Sequence, residues 1–354
     1  MRLLRRGEEK TSTLRRVGCT VQLVAAILGV GLVITLLHAR SLMRYGPTDQ
    51  PALPLDQLAT LRRIGVFLGG QQLPRPVNRR EPASLELLSR RVELPGDGPN
   101  PRLDAWFLQV EQPEGLALVF HDYGQSKADM LEVAASFHDL RYAVLLTDLR
   151  ASGDSEGLVT SFGWFEADDV ARVALRANDF RPAGGRMVLY GLGTGAAAVM
   201  RAVADLGVAA DGVVLEAPYA DLRDFFSARV ARTGMIAWPV SRVSLFWAGN
   251  SLEFPAAELV PQVIATRVKV PAVVVAGGEL TEDDLEAARA VAQALPGSPT
   301  LQVVPGAGKP AVLRQGEAWF EVINAFVGRL PPPAGASAAA PVQAAPQTLP
   351  DMPE

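Results

Sequence analysis

The sequence predicts an α/β protein whose mostly parallel, twisted sheet carries helices on both faces, preceded by one membrane-spanning helix. Three observations carry this reading. Short apolar runs alternate with amphipathic helical stretches over residues 85–330. Residues 17–39 hold no charge at all. Hydrophobic residues make up 49% and charged residues 20% of 354, enough for a large core and far from a disordered composition.

Residues 1–16 are a basic cytoplasmic segment with Arg2, Arg5, Arg6, Lys10, Arg15 and Arg16. Residues 17–39 are long enough to cross a bilayer core, at a rise of about 1.5 Å per residue. The excess of positive charge before this run puts the N-terminus in the cytoplasm and the large domain outside, on a single-pass anchor in the cytoplasmic membrane. A cleaved signal peptide is the alternative, but Leu37-His38-Ala39 is a poor cleavage site. Residues 40–84, with Pro47, Pro51, Pro54, Pro74, Pro76 and Pro82, read as a spacer with a short amphipathic helix around Leu55–Leu68. The tail 331–354 is Pro/Ala-rich and reads as disordered.

Inside the domain, two runs around Gly96-Asp97-Gly98-Pro99 form an antiparallel hairpin at the sheet edge. Strands are expected at 116–120, 142–148, 186–191, 211–217, 269–278 and 301–308, with helices at 126–139, 165–179, 194–206, 282–294 and 312–329. The apolar residues of the aromatic stretch 222–260 recur at helical spacing, which favours a small helical cap over an exposed patch resting on the membrane or a partner.

Composition also excludes functions. Net charge is −4, and the negative charge is concentrated in the main body, which argues against a nucleic-acid partner. Cys19 is the single cysteine, so no disulfide framework exists. No His/Cys/carboxylate group has ligand spacing, so no metal is expected. The histidines are His38, His121 and His138, with none beyond. Arginine outnumbers lysine 30 to 4, a usage typical of a GC-rich bacterial genome.

Several blocks occur in an informative order: His121-Asp122-Tyr123-Gly124, Asp148-Leu149-Arg150-Ala151-Ser152-Gly153-Asp154-Ser155, Phe162-Gly163-Trp164 with Asp168-Asp169, and Glu216-Ala217-Pro218-Tyr219. Together they resemble the α/β-hydrolase superfamily, in its serine aminopeptidase or lysophospholipase-like branch, over residues 85–329. The resemblance implies a serine on a G-x-S-x-G elbow, an acid after the seventh strand and a histidine near the C-terminus. Here the elbow is Gly191-Leu192-Gly193-Thr194-Gly195, the acid position falls on Leu280 with Glu279 beside it, and Lys309 stands for the histidine. The triad is therefore degenerate: Gly193 brings no hydroxyl, Leu280 no carboxylate and Lys309 no imidazole, with Glu279 the possible substitute acid. The backbone amides of Tyr123 and Thr194 remain as an oxyanion-like pair, with His121, Asp122 and Tyr219 as candidate pocket residues. Lys309 is expected either at the rim or in an ion pair with Glu279, Glu282 or Asp283.

The implied function is a binding or scaffolding pseudoenzyme for an unknown protein or small-molecule ligand, without a cofactor. Two alternatives stay open. One is an active esterase- or peptidase-like hydrolase with a non-standard site. The other is a dinucleotide-binding protein that uses Gly191-x-Gly193-x-x-Ala196, with Glu216 on the following strand.

Overall fold

The computed structural model describes residues 2–48 and 57–332. The expected tail lies outside the described residues from 333 onward, as do residues 49–56 of the expected spacer.

One eight-stranded sheet organises the described domain: β1 Ser89–Leu94, β2 Leu103–Leu108, β3 Gly115–Phe120, β4 Tyr142–Asp148, β5 Arg186–Leu192, β6 Gly212–Glu216, β7 Ala272–Gly277 and β8 Gln302–Val304. The spatial order is β1-β2-β4-β3-β5-β6-β7-β8. β2 runs antiparallel to both of its neighbours, and β3 to β8 run parallel. β3, β4 and β6 are buried along their whole length. That is why they read as continuous apolar runs instead of alternating ones: helices cover both faces of a parallel sheet.

The helices are α1 Arg2–Met43, α2 Thr60–Gly69, α3 Leu131–Asp139, α4 Glu166–Ala177, α5 Thr194–Ala204, α6 Leu222–Ala231, α7 Ala237–Leu252, α8 Pro261–Ala265, α9 Glu282–Ala294 and α10 Gly316–Gly328. α9 begins where Thr281 accepts the Asp284 amide, with Glu282, Asp283 and Asp284 in its first turn. That is a side-chain cap reinforced by acids at the positive end of the helix dipole. Two apolar cores fill the two sides of the sheet. Phe120, Leu189 and Leu215 lie in one; Tyr190, Trp319 and Phe137 lie in the other.

α1 is long and apolar enough over Val17–Met43 to cross a membrane, with a mean hydropathy of 2.4. It does not end at Ala39, and residues 40–43 are not part of a loose spacer. The helix continues to Met43, and Thr35, His38, Ala39, Leu42 and Met43 are buried against the domain. Ser244 and Trp247 of α7 donate to Thr35, and His38 Nε2 donates to the Phe67 carbonyl at 3.0 Å. Tyr123 Oη donates to the Leu42 carbonyl at 2.8 Å, and the Thr160 amide donates to the Met43 carbonyl. Polar side chains in an apolar helix cost free energy unless they find partners, and Thr35 and His38 find theirs in α7 and α2.

Candidate active site

The parallel strands end at one edge of the sheet, where the loops after β3, β5, β6 and β8 meet. In open α/β sheets this is where ligands bind. β5 turns sharply into α5 at Gly193, whose φ of 55° and ψ of −110° suit only glycine without strain. The first turn of α5 packs tightly on the loop after β3. A Cβ on Gly195 would lie 2.6 Å from the His121 carbonyl oxygen.

The Asp122 carboxylate fills the space beside the elbow. Its Oδ1 accepts the Thr194 amide at 2.7 Å, and its Oδ2 meets Lys309 Nζ at 2.9 Å. A Cβ built on Gly193 would stand 2.1 Å from Asp122 Oδ1. The carboxylate thus occupies the place where a nucleophile's side chain would begin, and it takes the Thr194 amide that the resemblance assigns to an oxyanion. Burial opposes ionisation of Asp122, but the Lys309 ammonium and the Thr194 N–H outweigh it and hold its pKa below the ordinary value.

The expected pairing of Lys309 with Glu279, Glu282 or Asp283 is not formed. Two contacts explain the difference. The Ala311 amide donates to the buried Glu216 carboxylate, which draws the 309–311 loop inward over β6. Arg314 takes Glu279 in a surface ion pair. Glu279 therefore supports no base here, and the Leu280 amide bonds back to the Gly277 carbonyl in the turn after β7.

His121 is buried with both ring nitrogens engaged. Nδ1 donates to the Asp122 carbonyl at 2.8 Å, and Nε2 accepts the Leu149 amide at 3.0 Å. This arrangement fixes the tautomer and leaves no lone pair for a substrate proton. Tyr219 Oη donates to the Phe162 carbonyl at 2.7 Å, and the Tyr123 ring packs among Tyr45, Phe162 and Phe225. Tyr45 Oη accepts the Gly124 amide at 2.9 Å, so the chain beyond α1 reaches into the same loop.

Glu216 is also fully committed. Besides the Ala311 amide it accepts from Trp319 Nε1 at 2.7 Å and Tyr190 Oη at 2.9 Å. Burial pushes its carboxyl up, against the pull of these three donors. The dinucleotide fingerprint thus meets a helix start already holding the Asp122 carboxylate, and an acid with no free oxygen for a ribose.

Sequence reasoning missed a second charged cluster. Asp104 comes from β2, and Asp148 and Asp154 from the end of β4 and the loop after it, and their carboxylate oxygens lie within 4.8 Å of one another. The Lys127 ammonium stands among them, 2.7 Å from Asp148, 3.1 Å from Asp154 and in contact with Asp104, with its charge over the Trp106 ring. Asp148 also accepts the Lys127 and Asp154 amides. A lysine ammonium, not a cation site, satisfies this group. The sequence signal was present: Lys127 and Asp148 lie in or beside two of the blocks that carry the resemblance.

No family model matches the chain. A search of curated proteins gives YqkD, an uncharacterized protein of Bacillus subtilis (strain 168), at 25% identity over 156 residues. The match covers 44% of this chain, and the chain spans about half the length of that relative, 51%. Among solved structures, the Pyrococcus furiosus esterase Pf2001 superposes with a TM-score of 0.55 at 20% identity, over 73% of this chain and 98% of its own. The α/β hydrolase GrgF from a Penicillium species superposes with a TM-score of 0.52 at 16% identity, over 69% and 99%. These likenesses define the fold: the chain has the α/β-hydrolase fold, preceded by one apolar N-terminal helix.

Proposed function

We propose that this chain is a membrane-anchored α/β-hydrolase-fold protein that binds and does not hydrolyse, from the serine aminopeptidase or lysophospholipase-like branch. One observation carries the reading: the Asp122 carboxylate, paired with Lys309, holds the Thr194 amide beside a side-chain-free Gly193. Nucleophile, base and one oxyanion donor are then lacking together, and these are the parts that acyl transfer needs. The acid fares no better, since Leu280 has no carboxylate and Glu279 faces Arg314. Anchorage through residues 17–39, with the N-terminus inside and the domain outside, rests on the length of α1 and on the arginines before it. The binding reading needs no cofactor.

The test is p-nitrophenyl ester turnover by the detergent-solubilised full chain against a buffer blank. A Gly193→Ser plus Lys309→His variant and an Asp122→Asn variant run alongside. Turnover at the blank level supports the proposal. Turnover well above blank that disappears in Asp122→Asn overturns it in favour of the alternative, an active hydrolase that uses the carboxylate in the nucleophile's space.

A further inference from the structure

A cavity lies between α1, the segment after α2, and α6. Its volume is 270 Å³, and His38, Ser41, Gly70, Tyr123, Arg229 and Arg232 are among its lining residues. Two arginines face it and no acidic residue does. Among the described residues neither guanidinium has a side-chain hydrogen bond or a carboxylate within ion-pair distance, although twenty ion pairs involve other residues. Arg229 instead lies over the rings of Tyr123 and Phe225, at 5.1 and 3.2 Å from their centroids. Burial pushes its guanidinium pKa down, against the pull of Tyr123 and of the Asp122 and Asp284 carboxylates, which stand beyond ion-pair distance. A guanidinium placed on aromatic faces keeps its hydrogen-bond fork free for an incoming anion.

The position of the cavity says which anion. α1 is apolar from Val17 to Leu37 and exposed along that stretch except around Thr35, which is buried against α7, and its length of about 31 Å matches a bilayer's hydrocarbon core. His38, Ser41 and Leu42, which line the cavity, come within the next two turns, so they fall in the headgroup layer that adds about 5–8 Å on each side. The surface beside the cavity suits that boundary. α2 is amphipathic yet buries none of its residues, and it exposes Leu61, Ile64, Phe67 and Leu68. Phe67 adjoins Gly234 in the turn between α6 and α7, and Ile236 and Trp238 beyond that turn are 77% and 70% exposed. Aromatic and apolar side chains ringed by arginines are what an anionic lipid interface attracts.

We propose that the cavity binds the phosphate of an anionic phospholipid headgroup, with Arg229 as the anchoring cation and Arg232 as its second contact. This rests on the proposed anchorage through α1. The site would fix the domain's height and rotation on the bilayer and hold a lipid beside the loop that carries Asp122.

Native mass spectrometry of the full-length protein, offered phosphatidylglycerol or phosphatidylcholine in mixed micelles, tests this. The expected result is retention of phosphatidylglycerol over phosphatidylcholine. Retention falls about tenfold in Arg229→Gln, the loss expected when one charge-assisted contact goes. Arg232→Ala, a change at an exposed side chain, lowers it less, and Arg242→Ala on α7 leaves it unchanged. Equal retention of both lipids, or retention unaffected by both Arg229→Gln and Arg232→Ala, overturns the proposal. So does glycerol phosphate in solution protecting the wild type from thermal unfolding as well as the lipid does, because the anion is then a soluble phosphate. Alkaline carbonate extraction of membranes separates the underlying reading. Protein that stays with the membranes but shows no lipid preference overturns the site and leaves the anchor; protein released by carbonate overturns the anchor itself.

Discussion

Two lysines sit at the same edge of the sheet among aspartates, and they do different things. Lys127 is wholly buried, with Asp104 and Asp148 buried beside it, and three carboxylates share its ammonium. Lys309 keeps 30% of its side chain exposed and meets one carboxylate, Asp122, itself 13% exposed. The Lys127 cluster ties β2, β4 and the loops around them into one unit, so it acts as a strut. The Lys309 pair spans the loops after β3 and β8 across the site, so it acts as a plug. Ion-pair chemistry alone does not distinguish the two; burial and place do.

That contrast sets the order of expected effects. Lys127→Met leaves buried Asp148 without a cation and buried Asp104 with only Arg91 and Arg102, and lowers stability by about 3–5 kcal/mol, read from urea unfolding of the solubilised full chain. A loss under about 1 kcal/mol would remove the distinction between strut and plug. Gly193→Ala forces a Cβ into strained backbone and against Asp122, and lowers stability by about 2–4 kcal/mol. Part of that loss belongs to the carboxylate, so the same change made on Asp122→Gly should be milder by at least about 1 kcal/mol in a double-mutant cycle. Lys309→Ala removes a partly exposed pair and costs about 1 kcal/mol or less.

The pH dependence sharpens the comparison further. Asp122 is more acidic in the folded than in the unfolded chain. Its contribution is therefore complete above the unfolded carboxylate pKa of about 4 and is lost as pH falls through the lower folded value. The stability gap between wild type and Asp122→Asn should be full at about pH 6 and shrink below about pH 4. Thermal unfolding across that range measures it, and a gap that widens on acidification contradicts the assigned direction.

Much of the fold was legible because the signals were local. The apolar runs at 116–120 and 142–148 became β3 and β4, and the helix expected at 282–294 is α9, residue for residue. The elbow was legible from its glycines, which a turn this tight requires. The illegible parts depend on contacts between distant residues. Asp104, Asp148 and Asp154 converge only once β2 lies beside β4. The partner of Lys309 was not legible either: spacing points to the acids of the β7 loop, whereas the Glu216–Ala311 bond turns the lysine toward the β3 loop. One clue is local: in the block His121-Asp122-Tyr123-Gly124 an acid follows the histidine, and its side chain faces the elbow. A second clue is Thr35 and His38 inside an apolar run, polar groups that need partners and find them in α7 and α2.

The central claim is that no activated nucleophile exists beside the elbow, because a carboxylate from the neighbouring loop stands there. Labelling with a fluorophosphonate, followed by intact-mass measurement of the full-length protein, tests it most directly. The wild-type chain stays unmodified, and an adduct forms only when Asp122→Gly, Gly193→Ser and Lys309→His are combined to open the site and restore its chemistry. A stoichiometric adduct on the wild-type chain, mapped to a residue around Asp122, Thr194 or Lys309, would contradict it.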